Sequence, residues 1–255
     1  MLDIVKICNR VIEYSFYALF FLVPLVLTPW NYELFEFNKM LVVYFLTTII
    51  VASWLVKMVI TKKVVFRRSF WDIPLILFWA SQVLSFLFSI DHHTSLWGYY
   101  SRFKLSVICY LLLYWAYVSN MNIQKTLRTI LWSLSAGVIV SLYGILEHFG
   151  HSPSCLMITG KFDVLCWVQD VQNRVFATLG QPNWLAAWLV ALIPLGFAFT
   201  LRVKERESGR VKNFLLFYSF TLLLYLCLLY TRSRSGFFGF AVAFAVFWPL
   251  VAWVN

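Results

Sequence analysis

Two arginines and a glycine separate two nearly apolar runs in the ten residues Thr231 to Phe240, TRSRSGFFGF. Phe214–Tyr230 precedes them and Phe237–Val254 follows, and each run reads as a membrane crossing. Arg232 and Arg234 therefore belong at a membrane surface, at the head of a helix. Backbone N–H groups face outward there, and guanidinium groups beside them can hold phosphate or diphosphate oxygens. A short charged turn that only parts two spans would have the same composition.

The elements that must position such a site are membrane helices. The chain is 62% hydrophobic and 13% charged, with a mean hydropathy of +0.78, which excludes an ordinary soluble domain. Eight stretches have the length a transmembrane helix needs: about 11–29, 39–60, 73–90, 103–119, 126–147, 183–200, 213–231 and 235–254. They are too long for barrel strands and lack dyad alternation. Met1–Arg10 is no signal peptide, because the apolar run from Val11 is of span length and no small-residue cleavage site follows it. The expected fold is all-α, a polytopic bundle of about eight spans forming a single membrane domain over 1–255.

A net charge of +10 invites a nucleic-acid reading, but its distribution argues against one. Alternate loops on the N-terminal side hold fourteen basic residues: Lys6, Arg10, Lys57, Lys62, Lys63, Arg67, Arg68, Lys125, Arg128, Arg202, Lys204, Arg206, Arg210 and Lys212. The opposite side holds seven: Lys39, Arg102, Lys104, Lys161, Arg174, Arg232 and Arg234. Such a bias expects a cytoplasmic N-terminus in an inner, or plasma, membrane. Phe237–Asn255 breaks the pattern, with no Lys or Arg, and the chain stops while still hydrophobic at Val251-Ala-Trp-Val-Asn255. That ending reads as a cut inside a longer protein.

One connection is long. Residues 148–182 join the fifth and sixth spans on the non-cytoplasmic side, and loops of this length tend to be functional or disordered. This one is too rich in Trp, Phe, Val, Leu and Ile to be disordered. Residues 163–179 could form short strands or an interfacial segment, and Gly180-Gln-Pro182-Asn183 forms a turn suited to start the next helix. Cys155 and Cys166 share this loop and could pair, a point that sequence leaves open. Cys8, Cys109 and Cys227 lie in or near the membrane, where a free thiol is a small hydrophobe.

Catalytic signatures are sparse. No zinc spacing, G-x-S-x-G, H-E-x-x-H or Walker motif occurs, and no metal or cofactor is expected. Asp91-His92-His93 follows the third span, but adjacent residues do not share a helical face. Glu147, His148 and His151 end the fifth span and could do acid–base work or be solvated loop residues. Arg102, Arg174, Arg232 and Arg234 all fall on the side where topology does not favour arginine. Together they suit a ligand with a diphosphate headgroup and a lipid tail.

Arg174-Val-Phe-Ala-Thr-Leu-Gly180-Gln-Pro182-Asn183-Trp-Leu-Ala-Ala, followed by Leu192-Ile-Pro-Leu195, resembles the R…G-N-P-N-x-L-A…P-L pattern of O-antigen ligase-like and polymerase membrane proteins. Ser233-Arg234-Ser235-Gly236 is similar to the S-R-S-G that opens that family's core domain. Leu84–Ser89, Ser95–Gly98 and Arg102 resemble an earlier segment, and Gln181 departs from the family's usual Asn. The resemblance implies a metal-independent glycosyltransferase of GT-C-like architecture. It would join or polymerise glycan from an undecaprenyl-diphosphate-linked donor onto an acceptor glycan or lipid at the periplasmic face. Arg174 and Arg234 would hold the diphosphate, with Arg102 and Arg232 as further candidates. The family's catalytic histidine lies in a loop beyond this chain's last residue. A small-solute transporter of the bicarbonate type, which should carry ionisable residues in mid-span, and a non-catalytic membrane partner or remnant are the alternatives.

Overall fold

The computed structural model describes residues 2–30, 33–98, 106–206 and 211–254, and within them the chain is helical with no strand. The helices are α1 (Leu2–Leu25), α2 (Glu36–Thr61), α3 (Asp72–Leu87), α4 (His92–Trp97), α5 (Ser106–Asn120), α6 (Ile123–His148), α7 (Pro153–Thr159), α8 (Pro182–Arg206), α9 (Val211–Tyr230) and α10 (Arg234–Val254). A 3-10 turn covers Ala177–Leu179.

Each of the eight expected runs contains a helix among the described residues. Among the described residues four helices are long and apolar enough to cross a membrane: Glu36–Thr61, Ile123–His148, Pro182–Arg202 and Arg234–Trp253. Asp72–Leu87, Val107–Asn120 and Phe214–Tyr230 are apolar but shorter. The first helix starts at Leu2, well before residue 11, and carries Asp3, Lys6, Arg10 and Glu13 in its first half. It stops at Leu25, short of Pro29, a residue that disfavours helix in the one before it. The run 73–90 is likewise cut at Leu87. Asp91 then opens α4, its Oδ1 accepting from the Thr94 N–H at 3.1 Å. Hydrogen bonds from the Thr94 hydroxyl and backbone hold the Asp91 carboxyl below its usual range. Asp91-His92-His93 is thus a helix cap and first turn.

The chain divides into two compact units. The first comprises residues 1–23 and 36–129. Its core gathers Ile12, Phe16 and Tyr17 of α1, Val43, Ile50 and Trp54 of α2, and Leu113 and Ala116 of α5. Glu13 anchors one end, accepting from the Tyr17 hydroxyl at 2.7 Å and meeting Lys125 at 2.9 Å and Arg128 at 3.5 Å.

The second unit comprises residues 24–35 and 130–255. Helix α8 packs on α9 and α10. Leu185, Ala186, Leu189, Leu192 and Ile193 of α8 are buried with Leu224, Cys227 and Leu228 of α9. Two of the close approaches that need glycine lie at the starts of α8 and α10. A Cβ on Gly236 would lie 2.6 Å from the Ala186 Cβ, so α10 meets α8 through a position without a side chain. Gly180 has φ +78°, and a Cβ there would sit 2.6 Å from the Phe35 ring.

Residues 148–182 fold without strands, contrary to one of the two expectations for 163–179. They fold instead around α7, the 3-10 turn and a disulfide between Cys155 and Cys166, which answers the question of pairing. Phe35, Trp167 and Phe176 form an aromatic cluster with centroids 5.2–5.7 Å apart, which gives the loop an apolar core of its own. The Thr178 hydroxyl donates to the Pro24 carbonyl at 2.6 Å.

Candidate functional site

Helix α8 begins at the Gly180-Gln-Pro-Asn183 turn. Pro182 takes the first helical position, where a missing N–H costs nothing, and the Gln181 carbonyl accepts from Trp184 and Leu185 at 3.1 Å each. Asn183 is then in the first turn, with its side chain exposed.

Helix α10 begins at Arg234. The hydroxyl of Ser233 accepts from the Gly236 N–H at 3.2 Å, a serine cap three residues ahead of its donor. The chain enters this cap through Arg232, whose φ of +46° lies in the left-handed region and ends α9 at Tyr230. The Tyr230 carbonyl accepts from the Val175 N–H at 3.2 Å, tying the loop to the end of α9.

These two helix starts are joined. Ser233 Oγ, fully buried, donates to Asn183 Oδ1 at 2.8 Å and lies 3.1 Å from Ser235 Oγ. The Arg174 guanidinium reaches the same Asn183 oxygen at 3.5 Å. Arg174, Asn183, Ser233, Ser235 and Gly236 therefore form one connected group, framed by Gly180 and Pro182. Beside it opens a polar cleft of about 520 Å³ lined by Gln169, Asp170, Asn173, Arg174, Gln181 and Asn183. The Arg174 side chain is exposed at its edge.

The remaining arginines differ. Arg232 is exposed, and its charge helps hold the Asp170 carboxyl below its usual range, after the hydrogen bonds from the Asn173 side chain and backbone. Arg232 thus lies within electrostatic reach of Asp170. Arg234, the first residue of α10, is exposed, and its guanidinium has no hydrogen-bonding partner among the described residues. Arg102 lies outside the described residues.

Gln169, Asp170 and Asn173 line the cleft beside Gln181 of the turn, and only their polarity within an otherwise apolar loop marks these three in sequence. The acid–base candidates Glu147, His148 and His151 lie close together in the chain. Glu147 is fully buried, with its carboxyl accepting from the Ala177 N–H at 2.9 Å and the Ser152 hydroxyl at 3.1 Å. His148 is half-buried, stacked on Tyr230 with centroids 3.8 Å apart, and its Nδ1 lies 2.7 Å from the Gln172 carbonyl. Since a carbonyl only accepts, Nδ1 carries the proton in that contact. His151 is exposed, with Nδ1 3.0 Å from the Phe149 carbonyl.

The arrangement is chemically apt for an anion. Two helix N-termini, one started by proline and one capped by serine, meet at a single hydrogen bond with an arginine against it. No protein-family model, curated protein or solved structure matches the chain.

Proposed function

We propose that this chain is the membrane part of a glycosyltransferase of the O-antigen ligase or polymerase type. It would take glycan from an undecaprenyl-diphosphate-linked donor at the non-cytoplasmic face of the inner membrane. In this reading all eight apolar helices cross the bilayer in a GT-C-like bundle, the N-terminus is cytoplasmic, and the cleft by Arg174 opens to the outside. An acceptor glycan or lipid is the second partner.

One observation supports the reading above the others: the hydrogen bond between Asn183 and Ser233, with Arg174 on the same oxygen. It brings the two segments that resemble the family's motifs to one place and leaves two arginines, Arg174 and Arg234, exposed there. A diphosphate carries its charge on oxygens that guanidinium forks and helix N–H groups bind well, while a lipid tail stays among the apolar helices. The transporter reading gains no comparable support.

The test is binding of a polyprenyl diphosphate to the protein in lipid nanodiscs. Each charge-assisted contact is worth roughly 1.5–3 kcal/mol, so Arg174→Ala and Arg234→Ala should each weaken binding about tenfold or more. Lysine should restore only part of it, because a point charge cannot reproduce the bidentate fork. Arg67→Ala is the control and should bind normally. Normal binding in both folded alanine variants would refute the proposal.

A further inference from the structure

We infer that Glu147 is a positioning residue, whose buried carboxyl fixes the backbone between Arg174 and Asn183 and so sets the two sides of the cleft. The inference rests on the diphosphate reading of that cleft. Glu147 sits one residue from the end of α6 and is wholly enclosed. A buried carboxyl must find donors: here Oε2 takes the Ala177 N–H at 2.9 Å and Oε1 the Ser152 hydroxyl at 3.1 Å, with the Phe176 backbone N–H also directed at the carboxyl. Ser152 Oγ in turn accepts from the Trp167 indole at 3.2 Å. One side chain thereby ties three separate parts of the loop to the helix.

The contact with Ala177 matters most. Ala177 has φ +48°, a region that residues with a Cβ avoid, and glycine is the usual occupant. Its side chain is fully buried, so the unusual backbone is held from inside. Ala177 stands three residues after Arg174 and six before Asn183, and it opens the 3-10 turn that leads into α8. The segment's other end is pinned by the Val175 bond to Tyr230. Between these pins the direction of the chain, and with it the reach of Arg174 to Asn183, depends on the conformation at Ala177. No group bonded to Glu147 is a cation. Its action is geometric, through an acceptor atom at a fixed place.

This account separates variants that charge alone would not. Glu147→Gln keeps a carbonyl for the Ala177 N–H, and its amide can donate to Ser152. Glu147→Ala removes both acceptors, and Glu147→Asp is one methylene too short to reach both donors. Ala177→Gly accepts positive φ without strain and should restore part of the loss. The experiment titrates geranylgeranyl diphosphate into the full chain in nanodiscs, with hydrogen exchange followed on peptides covering 174–183. Loss of the Ala177 contact should weaken binding about tenfold in Glu147→Ala and at least about threefold in Glu147→Asp, with faster exchange in both. Glu147→Gln should stay within about threefold of the parent protein, and adding Ala177→Gly to either weakened variant should recover about threefold. Should Glu147→Ala not fold, Glu147→Asp with and without Ala177→Gly decides the matter. Parent-like binding in Glu147→Ala while Arg174→Ala is weak would overturn the inference, as would a Glu147→Gln as weak as the alanine variant. If Arg174→Ala also binds normally, the diphosphate reading is what has failed. Exchange alone then judges Glu147, and unchanged exchange in Glu147→Ala refutes its hold.

Discussion

Cutting the bond between Asn183 and Ser233 should reveal a measurable coupling between the starts of α8 and α10. Ser233 does two things with one hydroxyl: it caps α10 by accepting from Gly236 at 3.2 Å, and it donates to Asn183 at 2.8 Å. Loss of a serine cap costs about 1 kcal/mol, and a neutral, half-exposed hydrogen bond contributes about 0.5–1 kcal/mol. Ser233→Ala should therefore destabilise by about 1.5–2 kcal/mol, since it removes both. Asn183→Ala should cost only about 0.5–1 kcal/mol, because the cap survives and the long, exposed Arg174 contact on the same oxygen adds little. The Ser233 proton can also turn towards Ser235 Oγ, 3.1 Å away. In the double variant the shared bond is lost once, not twice, so the total should remain near 1.5–2 kcal/mol. The shortfall from additivity is then about 0.5–1 kcal/mol.

The assay is unfolding by sodium dodecyl sulfate in mixed micelles, followed by circular dichroism and by tryptophan fluorescence. Coincident transitions are needed before free energies are compared. Single effects that add to within about 0.3 kcal/mol would mean that the two residues do not share a bond, and the proposed meeting of the two motifs would fall with it.

The other expectations can be checked more simply. Thiol labelling of the unfolded protein should detect three sulfhydryls before reduction and five after, because Cys155 and Cys166 are paired and Cys8, Cys109 and Cys227 are free; five before reduction would rule the pairing out. Alkaline phosphatase fused after Lys161 should be active and a fusion after Arg206 inactive, as the basic bias requires. The reverse pattern would move the cleft to the wrong side of the membrane for a periplasmic glycosyltransferase.

The sequence makes some of this architecture legible and hides the rest for identifiable reasons. Helices were readable because apolar runs such as 126–147 and 183–200 are long and unbroken, and the corresponding helices Ile123–His148 and Pro182–Arg206 overrun them by one to six residues at each end. Hydropathy mistakes an end where charge does not break helix, as at Leu2–Arg10, or where a local cap restarts it, as at Asp91. The motif residues were visible one by one, but not their partners, since nothing in the chain announces that Asn183 will accept a hydrogen bond from a serine fifty positions on. Ala177 and Arg232 were the hardest to foresee. Glycine is the usual sign of positive φ, and neither position has one. At Ala177 the reason is tertiary: the carboxyl of Glu147, thirty residues away, accepts the N–H that this backbone presents. The sequence therefore names groups able to hold an anion, whereas their arrangement depends on a buried acid that reads, in sequence alone, as the polar end of a span.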